Sequence, residues 1–213
     1  MLEFQQKIIG GFRMVEQRTR KIVTVGILAA LAWVVSQFSF PLLPWAPFLK
    51  IDFSDIPIIL GMYVYGPMSG IAIAAVRSLL SYVMTGGEAG FPIGDTAAFV
   101  ATLSYALPIY YVIRNKKPNM KQAILGGTTA TLSLTAVLSV LNWLVIAPLY
   151  MTVMGFSVGP MRDYLTISVI PFNLLKGAFV AIIFFVAFFK LQPYLEKIRA
   201  TEPGLSNQAF QIK

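Results

Sequence analysis

Hydrophobic residues fall in five long runs, separated by short polar, glycine-rich or proline-rich segments. The runs cover about residues 22–40, 51–86, 95–113, 122–148 and 164–189. A helix needs roughly 20 apolar residues to cross the ~30 Å hydrocarbon core of a membrane, so four runs predict one transmembrane helix each. The second run is too long for one crossing, because its ~35 residues would extend about 52 Å at helical rise.

Gly66-Pro67 lies inside that long run and predicts a tight turn between two shorter helices. Lysine and arginine concentrate before the first helix, between the fourth and fifth, and after the sixth. These clusters share the cytoplasmic side only if even numbers of helices separate them, and the extra turn satisfies this condition. The basic residues are Lys7, Arg13, Arg18, Arg20 and Lys21; Arg114, Lys116, Lys117 and Lys121; and Lys190, Lys197 and Arg199. We therefore expect an all-α integral membrane protein with six transmembrane helices and both termini in the cytoplasm.

Composition supports this class. Of the 213 residues, 57% are hydrophobic and 12% are charged, a balance typical of lipid-embedded helices. The net charge of +8 does not indicate nucleic-acid binding, because the basic residues flank apolar runs. Cysteine and histidine are absent, which removes thiolate and imidazole chemistry, and we expect no metal and no cofactor. Three segments follow: a cytoplasmic basic, amphipathic segment over 1–21, a membrane domain over 22–190, and a cytoplasmic tail over 191–213.

A polar group interrupts the last apolar run. Lys176 falls about 12 residues into the predicted helix, and Asn173 precedes it by three positions, which places both on one helix face. Pro171 cannot donate to the carbonyl of Ile167, so a backbone acceptor is left free nearby. This group predicts a ligand site, with interhelical hydrogen bonding as the alternative.

The fifth helix carries a polar stripe that ends in a third candidate. Its members recur every three or four residues and are Thr128, Thr131, Thr135, Ser139 and Asn142. Thr128 and Thr131 are expected to pack between helices, whereas Asn142 lies near the outer end of its helix and is assigned to the site. Amides both donate and accept and lysine donates, so the set suits a neutral, planar, amide-bearing or hydroxylated ligand.

Several aromatic residues could stack on a flat ligand, or could form an ordinary interfacial belt. They are Trp45, Phe48, Phe91, Trp143, Tyr150 and Phe172. The connections over 41–50, 85–95 and 148–163 are rich in glycine and proline, and are either lids over the site or ordinary loops. Arg77, inside the third helix, is expected to form an ion pair with Asp52, Asp55, Glu88 or Asp95.

Small residues line one face of the first helix, at Gly26, Ala30 and Ala32. This face allows close approach of a helix, either within the protein or from another subunit. No phosphate-binding Gly-x4-Gly-Lys-Ser/Thr motif is present, so we do not expect the chain to hydrolyse ATP. An intramembrane enzyme is disfavoured, because the few acidic residues cluster near the predicted outer loops.

Several motifs together resemble one family. They are Phe48-Leu-Lys-Ile-Asp-Phe-Ser-Asp-Ile-Pro57, Gly66-Pro67, Phe91-Pro-Ile-Gly94, Asn142 with Ala147-Pro-Leu-Tyr150, and Pro171-Phe-Asn-Leu-Leu-Lys-Gly177. Over about residues 22–190 the chain is similar to the riboflavin-specific S-components of bacterial energy-coupling factor (ECF) vitamin transporters. The resemblance implies a riboflavin-binding membrane subunit without an ATPase site of its own.

The resemblance also implies a set of site residues and partners. The implied substrate-binding residues are Asn142, Asn173, Lys176, Phe48, Leu49, Lys50, Gly94, Asp95 and Trp143. Small residues similar to Gly26 and Ala30 contact a membrane scaffold, which joins two cytosolic ATPases in an ECF module. The implied location is the bacterial cell membrane. An S-component for another vitamin and a stand-alone facilitator remain the alternatives.

Overall fold

The computed structural model describes residues 1–114, 118–155, 157 and 159–200. Two parts of the sequence predictions lie outside these described residues. They are the basic residues Lys116 and Lys117 and the part of the tail over 201–213. Most of the described chain is helical, and the two short strands form one hairpin.

The helices and strands follow one another in this order. The first part of the chain forms α1 (Leu2–Ser36), β1 (Phe40–Pro41), β2 (Lys50–Ile51), α2 (Asp55–Tyr65), α3 (Pro67–Thr85) and α4 (Ile93–Ile113). The second part forms α5 (Met120–Leu141), a first π-helical turn (Asn142–Ile146), α6 (Ala147–Met154), α7 (Met161–Asp163), a second π-helical turn (Tyr164–Val169) and α8 (Ile170–Ala200).

The predicted all-α membrane architecture is confirmed. Among the described residues, five helical stretches are long and apolar enough to cross a membrane: Arg18–Ser36, Pro67–Thr85, Ile93–Ile113, Met120–Met154 and Met161–Ala200. The apolar helix α2 is shorter, with 11 residues, and is buried along most of its length. Together with α2, these stretches make the six helices that the sequence predicts.

The break at Gly66-Pro67 has the form that the sequence predicts. Gly66 adopts φ +89°, a conformation that L side chains rarely adopt, and it ends α2. Pro67 follows as the first residue of α3, where its missing N–H has no helical acceptor to lose. The turn therefore sends α3 back along α2, and the two helices pack against each other.

The core lies where α2, α4, α5 and α8 meet. Tyr63 of α2 packs its ring edge-on against Phe188 of α8, with ring centroids 4.9 Å apart. A second cluster joins α1 to α2 and α3 through Ala29, Ile58 and Ile73. In a membrane, close packing of this kind holds helices together, because lipid tails are as apolar as the side chains.

The fifth and sixth helical segments are longer than the sequence predicts. The connection expected over 148–163 is helical as far as Met154, and the next helical segment already begins at Met161. The two π-helical turns allow the helical segments to extend past the prolines that follow these turns. In the first, the N–H of Ala147 bonds the carbonyl of Asn142, five residues back, so Pro148 falls in a fresh first turn where it is tolerated. The second turn precedes Pro171 in the same way.

Candidate functional site

One end of the bundle is covered by residues 37–54, which we call the covering segment. Its strands pair Phe40 with Ile51 and Pro41 with Lys50. Between the strands, the indole Nε1 of Trp45 donates a hydrogen bond of 3.4 Å to the carbonyl of Ile167. This is the carbonyl that Pro171 leaves free, so the predicted backbone acceptor is used to attach the covering segment to the second π-helical turn.

Apolar contacts reinforce this attachment. Leu43 and Ala46 of the covering segment form a buried cluster with Phe172, and Leu49 packs against it. The ring of Phe48 lies 6.2 Å from that of Tyr164, with 35° between their planes. Two of the predicted residues, Phe48 and Leu49, therefore lie over the start of the last helix. We call this end of the bundle the site end.

Asn142 is buried at the start of the first π-helical turn. Its Nδ2 donates to the carbonyl of Leu138 at 2.8 Å, and its Oδ1 accepts a 3.2 Å hydrogen bond from the hydroxyl of Tyr164. Tyr164 begins the second π-helical turn, so the bond links the two irregular segments directly. Departures from regular helix of this kind are frequent at functional sites.

Asn173 lies in the neighbouring helical segment, at the same number of residues from the site end. It is buried, and its Nδ2 donates to the carbonyl of Val169 at 2.8 Å. Twelve residues separate Asn142 from Met154, and twelve separate Met161 from Asn173, or about 18 Å of helix in each case. The two amides therefore lie at similar depth, deeper than the sequence predicts, because both helical segments extend further toward the site end.

Lys176 follows Asn173 by one helical turn and is half-buried. Its positive charge acts on Asp52 of the covering segment. Burial alone would raise the pKa of Asp52, but the charges of Lys176 and Arg77 and the hydrogen bonds from Ser54 outweigh it and hold that pKa below its ordinary value. Asp52 is therefore a carboxylate at neutral pH, and its charge opposes that of the lysine.

Arg77 does not form the direct ion pair that the sequence predicts. Its Nη2 donates to Ser54 Oγ at 2.9 Å, and the N–H of Ser54 donates to Asp52 Oδ1 at 2.8 Å. Ser54 comes directly before α2 and is fully buried, so it lies between the two charges and joins them. Asp55 has another partner, since it accepts a 2.6 Å hydrogen bond from Thr102 Oγ1.

The loop between α3 and α4 is fixed to α6 by Glu88. One carboxylate oxygen accepts from the hydroxyl of Tyr150 at 3.0 Å, and the other accepts from the N–H of Gly94 at 2.9 Å. A side chain on Gly94 would collide with that carboxylate, so Glu88 could keep this position only beside glycine. Glu88 therefore holds Gly94, a predicted site residue, close to Tyr150 of α6.

Three further predicted residues are Asp95, Lys50 and Trp143. Asp95 lines a cavity of about 310 Å³ between α3 and α4. Lys50 is exposed on β2. Trp143 is 61% exposed and shares an outward apolar strip with Val140 and Leu144. That strip is the pattern expected of a lipid-facing helix surface.

The small residues of α1 divide between two faces. Ala29 and Ala32 are fully buried against α2 and α3. Gly26 and Ala30 are exposed, and a side chain at Gly26 would meet no atom of the described residues within 4 Å. Ala32 therefore packs within the protein. Gly26 and Ala30 leave a shallow face of α1 exposed, where a helix of another subunit could approach.

The polar stripe of α5 is mostly structural. Thr131 is buried and touches the backbone at Gly177 of α8, where a side chain would approach Thr131 Oγ1 to 2.6 Å. Both threonines line an open apolar groove of about 550 Å³ between α5 and α8, and Thr128 is exposed there. Packing is confirmed for Thr131, whereas Thr128 faces outward.

Sequence reasoning missed two contributors to the site. Tyr164 bonds Asn142 and stacks near Phe48, and Glu88 joins a loop to α6. The only available signal for Tyr164 was its position at the start of the last apolar run, where aromatic residues are common in any membrane protein. Glu88 gave no signal beyond its charge, which suggested a partner for Arg77.

The fold and site define a multi-pass membrane protein with a covered polar site at one end of its bundle. Residues 20–188 match the family model described as "ECF transporter, substrate-specific component". The chain belongs to this family of transporter substrate-binding components. It is similar to a solved structure described as "Structure and mechanism of the S component of a bacterial ECF transporter", with 35% identity and a TM-score of 0.70, covering 84% of this chain and 99% of that one.

Two characterised relatives are also similar over most of their length. Riboflavin transporter FmnP of Bacillus subtilis is 32% identical over 188 residues, which cover 86% of this chain and 97% of the relative. Riboflavin transporter RibU of Staphylococcus aureus is 34% identical over 184 residues, covering 85% and 95%.

Proposed function

We propose that this chain is the riboflavin-binding S-component of an ECF vitamin importer. The observation that carries the proposal is the pair of buried amides, Asn142 and Asn173, at similar depth beneath the covering segment, with Lys176 one turn below. The names of the relatives support riboflavin as the ligand.

The chemistry of riboflavin fits these groups. The imide edge of its ring system carries two carbonyl acceptors and one N–H donor, which an asparagine amide and a lysine can match. The ring is flat and largely apolar, and the aromatic side chains of Phe48 and Tyr164 lie at the site end to pack against it. Its ribityl hydroxyls would meet the polar groups of the covering segment.

Orientation follows from charge. The exposed basic residues Arg18, Arg20, Lys121, Lys190 and Lys197 lie toward the end opposite the covering segment. The positive-inside rule places that end in the cytoplasm, with the site facing out and both termini inside. The segments 1–21 and 191–213 are then cytoplasmic, and 22–190 is the membrane domain of a cell-membrane protein.

In this proposal the energy for transport comes from partner subunits, since the chain carries no phosphate-binding Gly-x4-Gly-Lys-Ser/Thr motif. The exposed face of Gly26 and Ala30 is suited to close approach of a helix from the membrane scaffold of an ECF module. Two cytosolic ATPases on that scaffold would supply the energy, and the chain itself would act by binding and not by catalysis.

Titration of riboflavin into the purified, ligand-free protein, followed by flavin fluorescence, tests the proposal. The expected result is stoichiometric quenching by the parent protein, weakened at least tenfold by Asn173→Ala and by Lys176→Ala, since each removes a proposed hydrogen-bonding partner of the ligand. Lys190→Ala is the matched control, because Lys190 is exposed on the same helix near its other end. Absence of quenching by a folded parent would rule out riboflavin and redirect the search to other vitamins.

A further inference from the structure

Four ionisable side chains meet at the site end from three helices and the covering segment. Asp52 lies in the covering segment, Asp55 begins α2, Arg77 lies in α3 and Lys176 in α8. Arg77 is buried and reaches Asp52 through Ser54, with hydrogen bonds of 2.9 Å and 2.8 Å. The cluster is therefore held by defined contacts on one side. On the other side, Lys176 lies one turn after Phe172, on the face of α8 that packs against the covering segment.

The formal charges of this cluster cancel, since two acids face two bases. Asp52 is the acid on which both positive charges act, and their pull keeps it ionised at neutral pH although burial alone would raise its pKa. Asp55 is occupied by Thr102, at 2.6 Å. Asp52 is thus the group that compensates Lys176, and Lys176 belongs to the proposed flavin site.

We propose that Asp52 is a specificity-determining residue, whose carboxylate balances Lys176 so that the site accepts an uncharged flavin and disfavours a phosphorylated one. The inference rests on the proposed function. Asp52 acts through the charge balance around Lys176, held by the contacts of Ser54. It need not touch the ligand.

The physical basis is the reach of a charge in a poorly polarisable interior. At about 10 Å and an effective dielectric constant near 20, changing one unit charge alters the affinity for another unit charge on the order of tenfold. Riboflavin is neutral and feels little of this change. Riboflavin 5′-phosphate carries a charge between about −1.5 and −2 at neutral pH, so its affinity follows the local charge closely.

The decisive variant is Asp52→Asn, which removes the charge and nearly preserves the shape. Riboflavin and riboflavin 5′-phosphate are each titrated against parent and variant at low ionic strength. We expect the ratio of the two dissociation constants, phosphate over riboflavin, to fall about tenfold or more. Lys176→Gln removes the opposite charge, so the same ratio is expected to rise, even though both ligands bind more weakly.

Two controls separate charge from structure. Ser54→Ala removes the hydroxyl that accepts from Arg77, but it keeps the backbone N–H that donates to Asp52 and changes no charge. Both affinities therefore shift together, and their ratio stays within about threefold. Asp163→Asn removes an exposed acid at the site end, where solvent screens the charge, and the ratio again stays within about threefold.

The outcomes distinguish the role of Asp52 from the proposed function. A parent that binds riboflavin while Asp52→Asn leaves the ratio unchanged overturns the role of Asp52 and leaves the proposed function intact. An equal change in Asp163→Asn overturns the local origin of the effect. If Asp52→Asn does not fold, Asp52→Ser is the second neutral variant at this position, and the same ratio decides. A folded parent that binds neither flavin overturns both the proposed function and this inference.

Discussion

The hydroxyl of Tyr164 donates a hydrogen bond to Asn142 Oδ1 over 3.2 Å, and this bond joins the two π-helical turns. The turns belong to neighbouring helical segments, each interrupted just before a proline. The bond therefore fixes the orientation of the Asn142 amide relative to the segment that carries Asn173.

Tyr164→Phe is expected to weaken riboflavin binding about fivefold, which corresponds to about 1 kcal/mol, the net contribution of one ordinary hydrogen bond. The aromatic ring next to Phe48 is retained, so the change reports the hydroxyl alone. Fluorescence titration measures it, with Tyr194→Phe, exposed near the other end of α8, as control. Unchanged affinity in Tyr164→Phe would show that Asn142 needs no fixed orientation.

Gly177→Ala is expected to destabilise the protein by about 1–3 kcal/mol, because the new methyl group would approach Thr131 Oγ1 to 2.6 Å at the contact of α5 with α8. Thermal unfolding in detergent measures the loss. Gly26→Ala is the matched control, since nothing lies within 4 Å of a side chain there. Equal melting temperatures for Gly177→Ala and the parent would mean that α5 and α8 move apart to admit the methyl group without loss of stability.

Tyr150→Phe is expected to speed riboflavin dissociation severalfold, because it removes the 3.0 Å hydrogen bond that fixes the α3–α4 loop to α6 through Glu88. Stopped-flow fluorescence measures the rate. Glu88→Gln should act in the same direction, since a neutral amide accepts more weakly from Gly94. Dissociation rates equal to the parent's in both variants would rule out a gating role for this loop.

The lowered pKa of Asp52 makes a signed prediction for acid stability. A carboxylate with a depressed pKa stabilises the folded state above its ordinary pKa of 3.8, and the contribution is lost as pH falls through the still lower folded value. The difference in melting temperature between the parent and Asp52→Asn should therefore be constant from about pH 7 to pH 5 and shrink below about pH 4. A difference that grows on acidification would contradict the ionised state assigned to Asp52.

Gly26→Leu is expected to abolish riboflavin uptake in cells that supply an ECF module while leaving riboflavin affinity of the purified protein unchanged. The leucine would fill the open face of α1 without touching the site end. Ile27→Leu, exposed on the next position, serves as control. Normal uptake by Gly26→Leu would move the proposed partner contact elsewhere on the protein.

Some features could be predicted because they depend on local chemistry. Gly66-Pro67 breaks a helix through backbone conformation alone, and the free carbonyl of Ile167 follows from the missing N–H of Pro171. The depth of Lys176 and the asparagines in apolar runs also marks them without tertiary information.

Other features depend on contacts that a sequence does not display. Pro148 would ordinarily end a helix, and only the π-helical turn before it allows α6 to continue. Trp143 is exposed although it adjoins buried Asn142, because consecutive side chains of a helix point about 100° apart. The partner of Arg77 could not be foreseen either, because Ser54 reaches it only when α2 and α3 fold together.

The helix α2 is too short to cross a membrane alone. With 11 residues it is about 16 Å long, roughly half the thickness of the hydrocarbon core, and its first residues adjoin the covering segment. It is buried along most of its length and packs against α1, α3, α4 and α8. Its ends can therefore stop within the thickness of the bundle, because the longer neighbouring helices shield its backbone groups from lipid.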